Sequence, residues 1–113
     1  MEQEQPKELV MYGRSWPCPD QMRTERFLQA NKITYRKVLI DQNPAAGELV
    51  EHYVGHRSVP TMVVAAAGSD EPVAEPAPLP TGRSTRSFDR GTLITEPSDE
   101  SMRTFLRKHG LFE

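Results

Sequence analysis

The sequence SWPCPDQ at residues 15–21 decides how the chain is built, because it joins a strand-like segment to a helix-like one and carries the only cysteine, Cys18. Before it, the unbroken apolar run Leu9–Tyr12 is typical of a strand that is covered on both faces. Within it, Pro19 and the carboxylate that follows are residue types that open helices. The stretch therefore predicts a strand, a loop and a helix that ends near Ala30.

The same alternation continues along the chain and predicts an α/β fold. After the first helix we expect a strand at Thr34–Ile40, a helix from Pro44 that Gly55 stops, a strand at Thr61–Ala67, a short strand at Gly91–Thr95, and a helix that follows Pro97 and ends at Gly110. The first two strands should be parallel with a right-handed crossover, and the last two are most simply antiparallel. The order β-α-β-α-β-β-α predicts a four-stranded mixed sheet flanked by three helices on both faces.

Length and composition indicate one modest domain. The 113 residues, of which 36% are hydrophobic and 27% charged, fit a soluble globular protein with a single core. We expect this domain at residues 8–111, after a polar tail at residues 1–7. Residues 68–90 hold four prolines and few apolar side chains, which predicts a Pro-rich insertion that is extended or mobile.

Charge and hydropathy exclude several classes of function. A formal net charge of −2 offers neither the basic face that nucleic acid requires nor attraction to an anionic membrane. No apolar run approaches the roughly 20 residues that span a bilayer, and the acidic, polar beginning does not resemble a secretory signal. One cysteine makes no internal disulfide, so we expect a cytoplasmic protein whose redox chemistry uses an outside thiol.

Cys18 is the strongest candidate for chemistry. At a helix start, a thiolate faces unpaired backbone N–H groups and the positive end of the helix dipole, and the thiolate is the nucleophilic form. Arg14 and Arg23 add favourable charge, whereas Asp20 opposes it. Position alone leaves a second interpretation open, in which Cys18 is a structural cysteine of the core.

Two further segments are candidates for ligand binding. In RSVPT at residues 57–61, a cis peptide bond before Pro60 would leave the backbone of Val59 free for a ligand, whereas the alternative is a proline that begins a strand. In PSD at residues 97–99, the first N–H groups of the last helix would receive a carboxylate, whereas the alternative is ordinary capping. Each segment alone favours the second interpretation.

Taken together, the three motifs resemble the glutaredoxin family, which has the thioredoxin fold. YGRSW at residues 12–16 followed by CPD at residues 18–20 resembles the C-P-x-C active site, particularly the S-W-C-P-D-C form of bacterial glutaredoxin-like and mycoredoxin-like proteins. SVP at residues 58–60 resembles the T-V-P loop with its cis-proline. TLITEPS at residues 92–98 resembles the strand-then-helix segment of mycoredoxins.

The resemblance implies a role for each motif. Cys18 would be the nucleophile that attacks a mixed disulfide. The Val59–Pro60 backbone would hold the thiol in a strand-like pose, the last helix start would take its carboxylate or amine, and two arginines would lie near its other carboxylate. The expected thiol-binding residues are Arg14, Trp16, Gln21, Arg57, Val59, Pro60, Ser98 and Asp99.

The resemblance also implies partners. Glutathione or a mycothiol-like small thiol would be the co-substrate, protein mixed disulfides the substrates, and the chain a monomer. No metal is expected, because Pro19 beside the cysteine disfavours the cluster-binding variant of the family. His52 and His56 are interpreted as surface residues, since Gly55 ends their helix.

Three features depart from the family pattern. Gln21 stands where the second, resolving cysteine is usual, which leaves only a single-thiol cycle. Pro17 is an extra residue before Cys18 and would displace the thiol. The insertion at residues 68–90 lengthens a hairpin near the substrate groove; a solvated loop is the default interpretation, with gating or protein binding as alternatives.

Two functions follow from these features. The first is a monothiol oxidoreductase that removes glutathione, mycothiol or a similar thiol from proteins through Cys18. The second is a redox-inactive thioredoxin-fold module that binds a protein or peptide partner. The first rests on the active-site motifs, and the second rests on the three departures.

Overall fold

A mixed β-sheet with helices on both faces forms the protein, as a computed structural model that describes residues 7–16 and 18–112. The elements in that part of the chain are β1 (Lys7–Gly13), α1 (Pro19–Ala30), β2 (Arg36–Leu39), α2 (Pro44–Val54), β3 (Thr61–Ala66), β4 (Leu93–Thr95) and α3 (Asp99–Lys108). Pro17 and most of the predicted tail lie outside the described residues. Lys7, which was assigned to that tail, is instead the first residue of β1.

The strand order is β2-β1-β3-β4. β1 runs parallel to β2 and antiparallel to β3, and β3 runs antiparallel to β4. The register pairs Met11 with Met62 and Tyr12 with Thr61, so the carboxyl end of β1 meets the beginning of β3. This is the predicted thioredoxin-like arrangement of three helices on a four-stranded mixed sheet.

Each face of the sheet buries its own apolar cluster, because successive side chains of a strand point to opposite faces. Leu9 and Met11 pack towards α1 and α3, whereas Val10 and Tyr12 pack towards α2. All four are at most 1% exposed. The unbroken apolar run of β1 is therefore explained by burial on both sides.

The inner face of α1 holds only two of the three large apolar side chains of this helix. Phe27 and Leu28 are buried, but Met22 is 49% exposed. Gln21 and Thr24 take the inner positions instead. The helix is rotated so that its first turn presents a polar side chain to the end of β1, and a pattern search for apolar residues misses that.

The other two helices begin and end where their residue types predict. The Asn43 side chain caps α2 by accepting a hydrogen bond from the Ala46 amide, and Gly55 ends it with a left-handed φ of 93°. The Ser98 side chain caps α3 by accepting from the Ser101 amide. No helix in the described ranges is long and apolar enough to cross a membrane.

The insertion at residues 68–90 follows an extended path but is tied to the domain. It has no helix or named strand, and only isolated bridges join it to β3 and β4. Near its beginning, the Asp70 carbonyl accepts a hydrogen bond from the Tyr12 hydroxyl and its carboxylate pairs with Arg36 at 2.7 Å. At its end, the buried Arg90 guanidinium donates to the carbonyls of Tyr53 at 2.6 Å and Ala77 at 2.8 Å.

Candidate functional site

Cys18 is the N-cap residue of α1 and lies half-buried at the surface. Its backbone is extended, with φ −82° and ψ 170°, and its carbonyl accepts the first helical hydrogen bond from the Met22 amide at 3.0 Å. Its Sγ lies 3.7 Å from the carbonyl oxygen of Val59, to which the thiol donates. The sulfur therefore sits between a helix N-terminus and the loop that precedes β3.

The loop facing Cys18 contains a cis peptide bond between Val59 and Pro60, as predicted. The Pro60 carbonyl accepts from the Glu96 amide at 2.7 Å, and the Thr61 hydroxyl donates to the Ser58 carbonyl at 2.9 Å. Within residues 7–16 and 18–112, no acceptor bonds the Val59 amide. The loop is thus held by its neighbours while the Val59 backbone faces the sulfur.

Gln21 lies behind the site instead of in its surface. Its side chain is fully buried, and its carboxamide brackets one residue: Oε1 accepts from the Arg14 amide at 2.9 Å, and Nε2 donates to the Arg14 carbonyl at 3.1 Å. A Cβ on Gly13 would meet this carboxamide at 2.8 Å. Gln21 therefore fixes the turn that leads from β1 towards Cys18 and offers nothing to a small thiol.

The carboxamide is fixed in turn by Glu25, which accepts from Nε2 at 3.2 Å. Burial alone would raise the pKa of Glu25, but hydrogen bonds from Lys37, Tyr35 and Gln21 together lower it. An ionised carboxylate thus orients the amide, so that the NH₂ group is the donor towards Glu25. Hydrogen bonds from Glu25 through Gln21 to the Arg14 backbone therefore hold the shape of the loop between β1 and Cys18.

The two predicted arginines lie together on the α2 side of the loop. The Arg14 guanidinium donates to the Arg57 carbonyl at 2.9 Å. The exposed Arg57 side chain pairs with Glu51 at 3.1 Å and packs over Gly47, where an added Cβ would lie 2.8 Å from Nη1. Trp16, two positions before Cys18, is 68% exposed, so its indole ring lies in solvent.

The start of α3 is partly occupied by the insertion. The Ser98 amide, predicted to receive a thiol carboxylate, donates to the Ser87 hydroxyl at 2.8 Å. Ser87 is held by its own amide, which donates to the Thr95 carbonyl at 2.8 Å. Ser98 and Asp99 are exposed, so this helix start remains open to solvent beside Ser87.

Sequence reasoning missed Arg86, which the insertion brings to the first turn of α1. Its guanidinium binds both carboxylate oxygens of Asp20, at 2.7 and 2.9 Å, and also pairs with Glu96 at 3.1 Å. Hydrogen bonds from Arg86 and then Arg23 lower the pKa of Asp20 to about 2. Nothing in the sequence marks this arginine among the three in residues 83–90, because its partner is 66 positions away.

Metal ligands do not converge in the described part of the chain: no three His, Cys, Asp or Glu side chains there are placed to hold an ion. The His52 ring packs edge-on against Tyr53, with centroids 4.8 Å apart. The His56 ring is hydrogen-bonded to the Ser58 hydroxyl. Both histidines thus have ordinary structural contacts.

The thioredoxin-like sheet, with a thiol at a helix start facing a cis-proline loop, defines a thiol–disulfide exchange site. Residues 9–66, about half of the chain, match the family model described as Glutaredoxin. The chain therefore belongs to the glutaredoxin family, whose members are thiol–disulfide oxidoreductases that use glutathione-like thiols and act on protein mixed disulfides. No curated protein matches the chain significantly. The matched span ends at the last residue of β3, before the insertion.

Proposed function

We propose that this protein is a monothiol glutaredoxin of the mycoredoxin-like subtype, with Cys18 as its nucleophile. Its substrates are proteins that carry a small thiol, such as glutathione or a mycothiol-like molecule, in a mixed disulfide. The observation that carries the proposal is the position of the Cys18 sulfur, at the N-terminus of α1 and 3.7 Å from the Val59 carbonyl. Here one end of the site stabilises a thiolate and the other offers a free backbone edge.

The reaction needs one protein thiol. The Cys18 thiolate attacks the small-thiol sulfur of the mixed disulfide, the S–S bond breaks, and the target protein leaves as a thiolate that takes up a proton. Cys18 is then joined to the small thiol. A second small thiol, as its thiolate, attacks that adduct at the small-thiol sulfur, releases the symmetrical small-thiol disulfide and regenerates the Cys18 thiolate.

The small thiol is bound by groups around the sulfur. The Val59 amide and carbonyl pair with the peptide-like part of the thiol in the manner of an added strand. Arg14 and Arg57 attract a carboxylate on one side, and the first turn of α3 at Ser98 and Asp99 attracts a charged group on the other. The hydrogen bond from the Ser98 amide to the Ser87 hydroxyl leaves less room for a charged group at the start of α3.

Replacement of the nucleophile tests the proposal. Cys18→Ser should abolish release of a small thiol from a protein mixed disulfide, because a hydroxyl is not nucleophilic at neutral pH. Ser15→Ala is the matched control: it removes a nearby hydroxyl, bonded to Asp41 at 2.7 Å, and should keep most activity. Mass spectrometry of protein purified without reductant should detect one small-thiol adduct, on Cys18.

A redox-inactive binding module is the second candidate, and the exposed Trp16 together with the buried Gln21 favours it. In that case the wild type would show no turnover with either glutathione or mycothiol mixed disulfides. Cys18→Ser would keep binding to the same protein partner, whereas Trp16→Ala would weaken it. Turnover by the wild type that Cys18→Ser abolishes would exclude this candidate.

The same proposal includes the compartment and the oligomeric state of the protein. A single reduced cysteine suits the cytoplasm, and a monothiol cycle requires one chain only. Size-exclusion chromatography should therefore give a monomer with and without small thiol. A stable dimer that forms with iron and glutathione would contradict this part of the proposal.

A further inference from the structure

The insertion places a cation on the first turn of the helix that begins at Cys18. Arg86 reaches from the end of the insertion to the first turn of α1 and binds Asp20 through two hydrogen bonds, at 2.7 and 2.9 Å. Asp20 is two residues from Cys18, in the first turn of the helix for which Cys18 is the N-cap residue. An element outside the family-matched span is thus built into the catalytic helix.

Asp20 poses an electrostatic problem for a thiolate at position 18. Its carboxylate is ionised at neutral pH, since Arg86 and Arg23 hold its pKa at about 2. A negative charge on the first turn opposes formation of a second negative charge on the sulfur, because like charges repel. It also offsets the helix dipole that favours the thiolate.

We propose that Arg86 is a positioning residue for the thiol chemistry: the insertion holds its guanidinium on Asp20, cancels that negative charge and so maintains the Cys18 thiolate. The inference rests on the proposed role of Cys18 as nucleophile. The bidentate geometry fits this role, because two parallel bonds fix the cation on the carboxylate more firmly than a single contact does. The insertion thereby becomes part of the site.

The segment around Arg86 is built to keep it there. The Ser87 amide donates to Thr95, and its hydroxyl donates to the Glu96 carbonyl at 3.2 Å, so the backbone beside Arg86 is fastened to β4 and the connection that follows. Glu96 also pairs with the Arg86 guanidinium at 3.1 Å. The cation is held from two sides while half of its side chain is exposed.

Other charged groups around the sulfur do not replace Arg86. Arg23 on α1 shares Asp20 through one contact at 2.9 Å, and its guanidinium also donates to the Pro97 carbonyl. Arg14, after β1, is directed to the Arg57 carbonyl. Glu96, on the connection after β4, is negative and is itself neutralised by Arg86. Removal of Arg86 therefore leaves Asp20 with the single contact from Arg23 and takes from Glu96 the cation that neutralises it.

The test is the rate of alkylation of Cys18 by iodoacetamide, measured from pH 4 to 10 in the intact protein. Arg86→Ala should lower the rate at pH 7 by roughly fivefold and move the profile to higher pH, because the carboxylate is uncovered. Arg86→Lys, which keeps the charge, should recover part of the loss. Arg83→Ala is the matched control, since it removes the same charge from a guanidinium that packs on Phe88 at 4.7 Å.

The double variant Arg86→Ala with Asp20→Asn decides the mechanism. If Arg86 acts through Asp20, its loss should change the alkylation rate by less than about twofold once the carboxylate is gone. An equal loss in both backgrounds would overturn the role through Asp20, and an unchanged pH profile in Arg86→Ala would overturn the inference altogether. Circular dichroism of each variant reports its fold, and Arg86→Lys keeps the test decisive if Arg86→Ala misfolds.

Failure of the inference is distinguishable from failure of the proposed function. The alkylation rate measures only the reactivity of the Cys18 thiolate, whereas turnover with a protein mixed disulfide depends on every step of the reaction. If Arg86→Ala and the wild type show the same alkylation profile while Cys18→Ser abolishes turnover, the inference fails and the monothiol function stands. If the wild type shows no turnover, the proposed function fails, and the role of Arg86 as support for a reacting thiol falls with it.

Discussion

Residues 9–66 and residues 68–90 are held in the structure by different means. The first region packs apolar side chains on both faces of a sheet, with Leu9, Met11, Val10 and Tyr12 as its centre. The second has almost no apolar packing and is fastened by polar contacts to distant residues. A hydrophobic pattern therefore specifies the first region, whereas a few pairs of polar groups specify the second.

Three arginines make those fastenings, one near each end of the insertion and one at the site. Arg36 of β2 holds the beginning through Asp70 and the Ser69 carbonyl, both at 2.7 to 2.8 Å. Arg90 holds the end, and Arg86 joins it to α1. Since each contact is charge-assisted, it contributes more than a neutral hydrogen bond.

Gln21→Ala tests the first region and should have the largest effect on stability. It empties a buried position and leaves the amide and carbonyl of Arg14 without partners, so the free energy of unfolding should fall by about 3 kcal/mol. Urea denaturation measures this. Gln29→Ala on the exposed side of the same helix should cost less than about 1 kcal/mol, and equal losses in both variants would contradict the buried clamp.

Arg90→Met tests the second region and should have an intermediate effect. It removes hydrogen bonds to the Tyr53 and Ala77 carbonyls while keeping some apolar bulk, at a cost of about 2 kcal/mol. Limited proteolysis should show faster cleavage within residues 68–90, with the sheet intact. Arg83→Met is the control; if both variants are cleaved at the wild-type rate, contacts other than Arg90 fasten the insertion.

The ion pair between Arg86 and Asp20 joins the two regions, and its loss should have the smallest effect on stability. That effect depends on pH. Arg86 lowers the pKa of Asp20 to about 2, below the value near 3.9 expected in the unfolded chain. A lowered pKa stabilises the fold above pH 4, and that contribution is lost as the pH falls through 2. The melting temperature of the wild type should drop more steeply between pH 4 and 2 than that of Arg86→Met. Parallel curves would argue against the ion pair.

The sequence is sufficient for the elements whose signals are local. The bounds of α1 and the caps of α2 are confirmed, because each depends on residues within a few positions of one another. The cis bond before Pro60 is also present, but only the family resemblance implied it, since the segment alone favours a proline that begins a strand. β2 is shorter than predicted and begins at Arg36, since sheet pairing and not β-propensity sets its ends. Local sequence signals thus predict which elements form, but they do not predict where a strand such as β2 begins and ends.

The parts of the site that sequence misses depend on tertiary contacts between polar groups. The family resemblance places Gln21 among the thiol-binding residues, yet hydrogen bonds to the backbone of Arg14, just after β1, go with a fully buried side chain. Arg86 was overlooked because loops rich in proline carry no periodic signal. Gly13 belongs to the first of these contacts, since an added Cβ would lie 2.8 Å from the Gln21 carboxamide, but only the structure shows this.

The packing of Gln21 against Gly13 determines what a second cysteine at position 21 would require. A cysteine at position 21 has too little volume to fill the space and too few hydrogen-bonding groups to replace the carboxamide. Gly13→Ala alone is also destabilising, because the added Cβ would lie 2.8 Å from the Gln21 carboxamide. Gln21→Cys and Gly13→Ala should therefore each lower the free energy of unfolding.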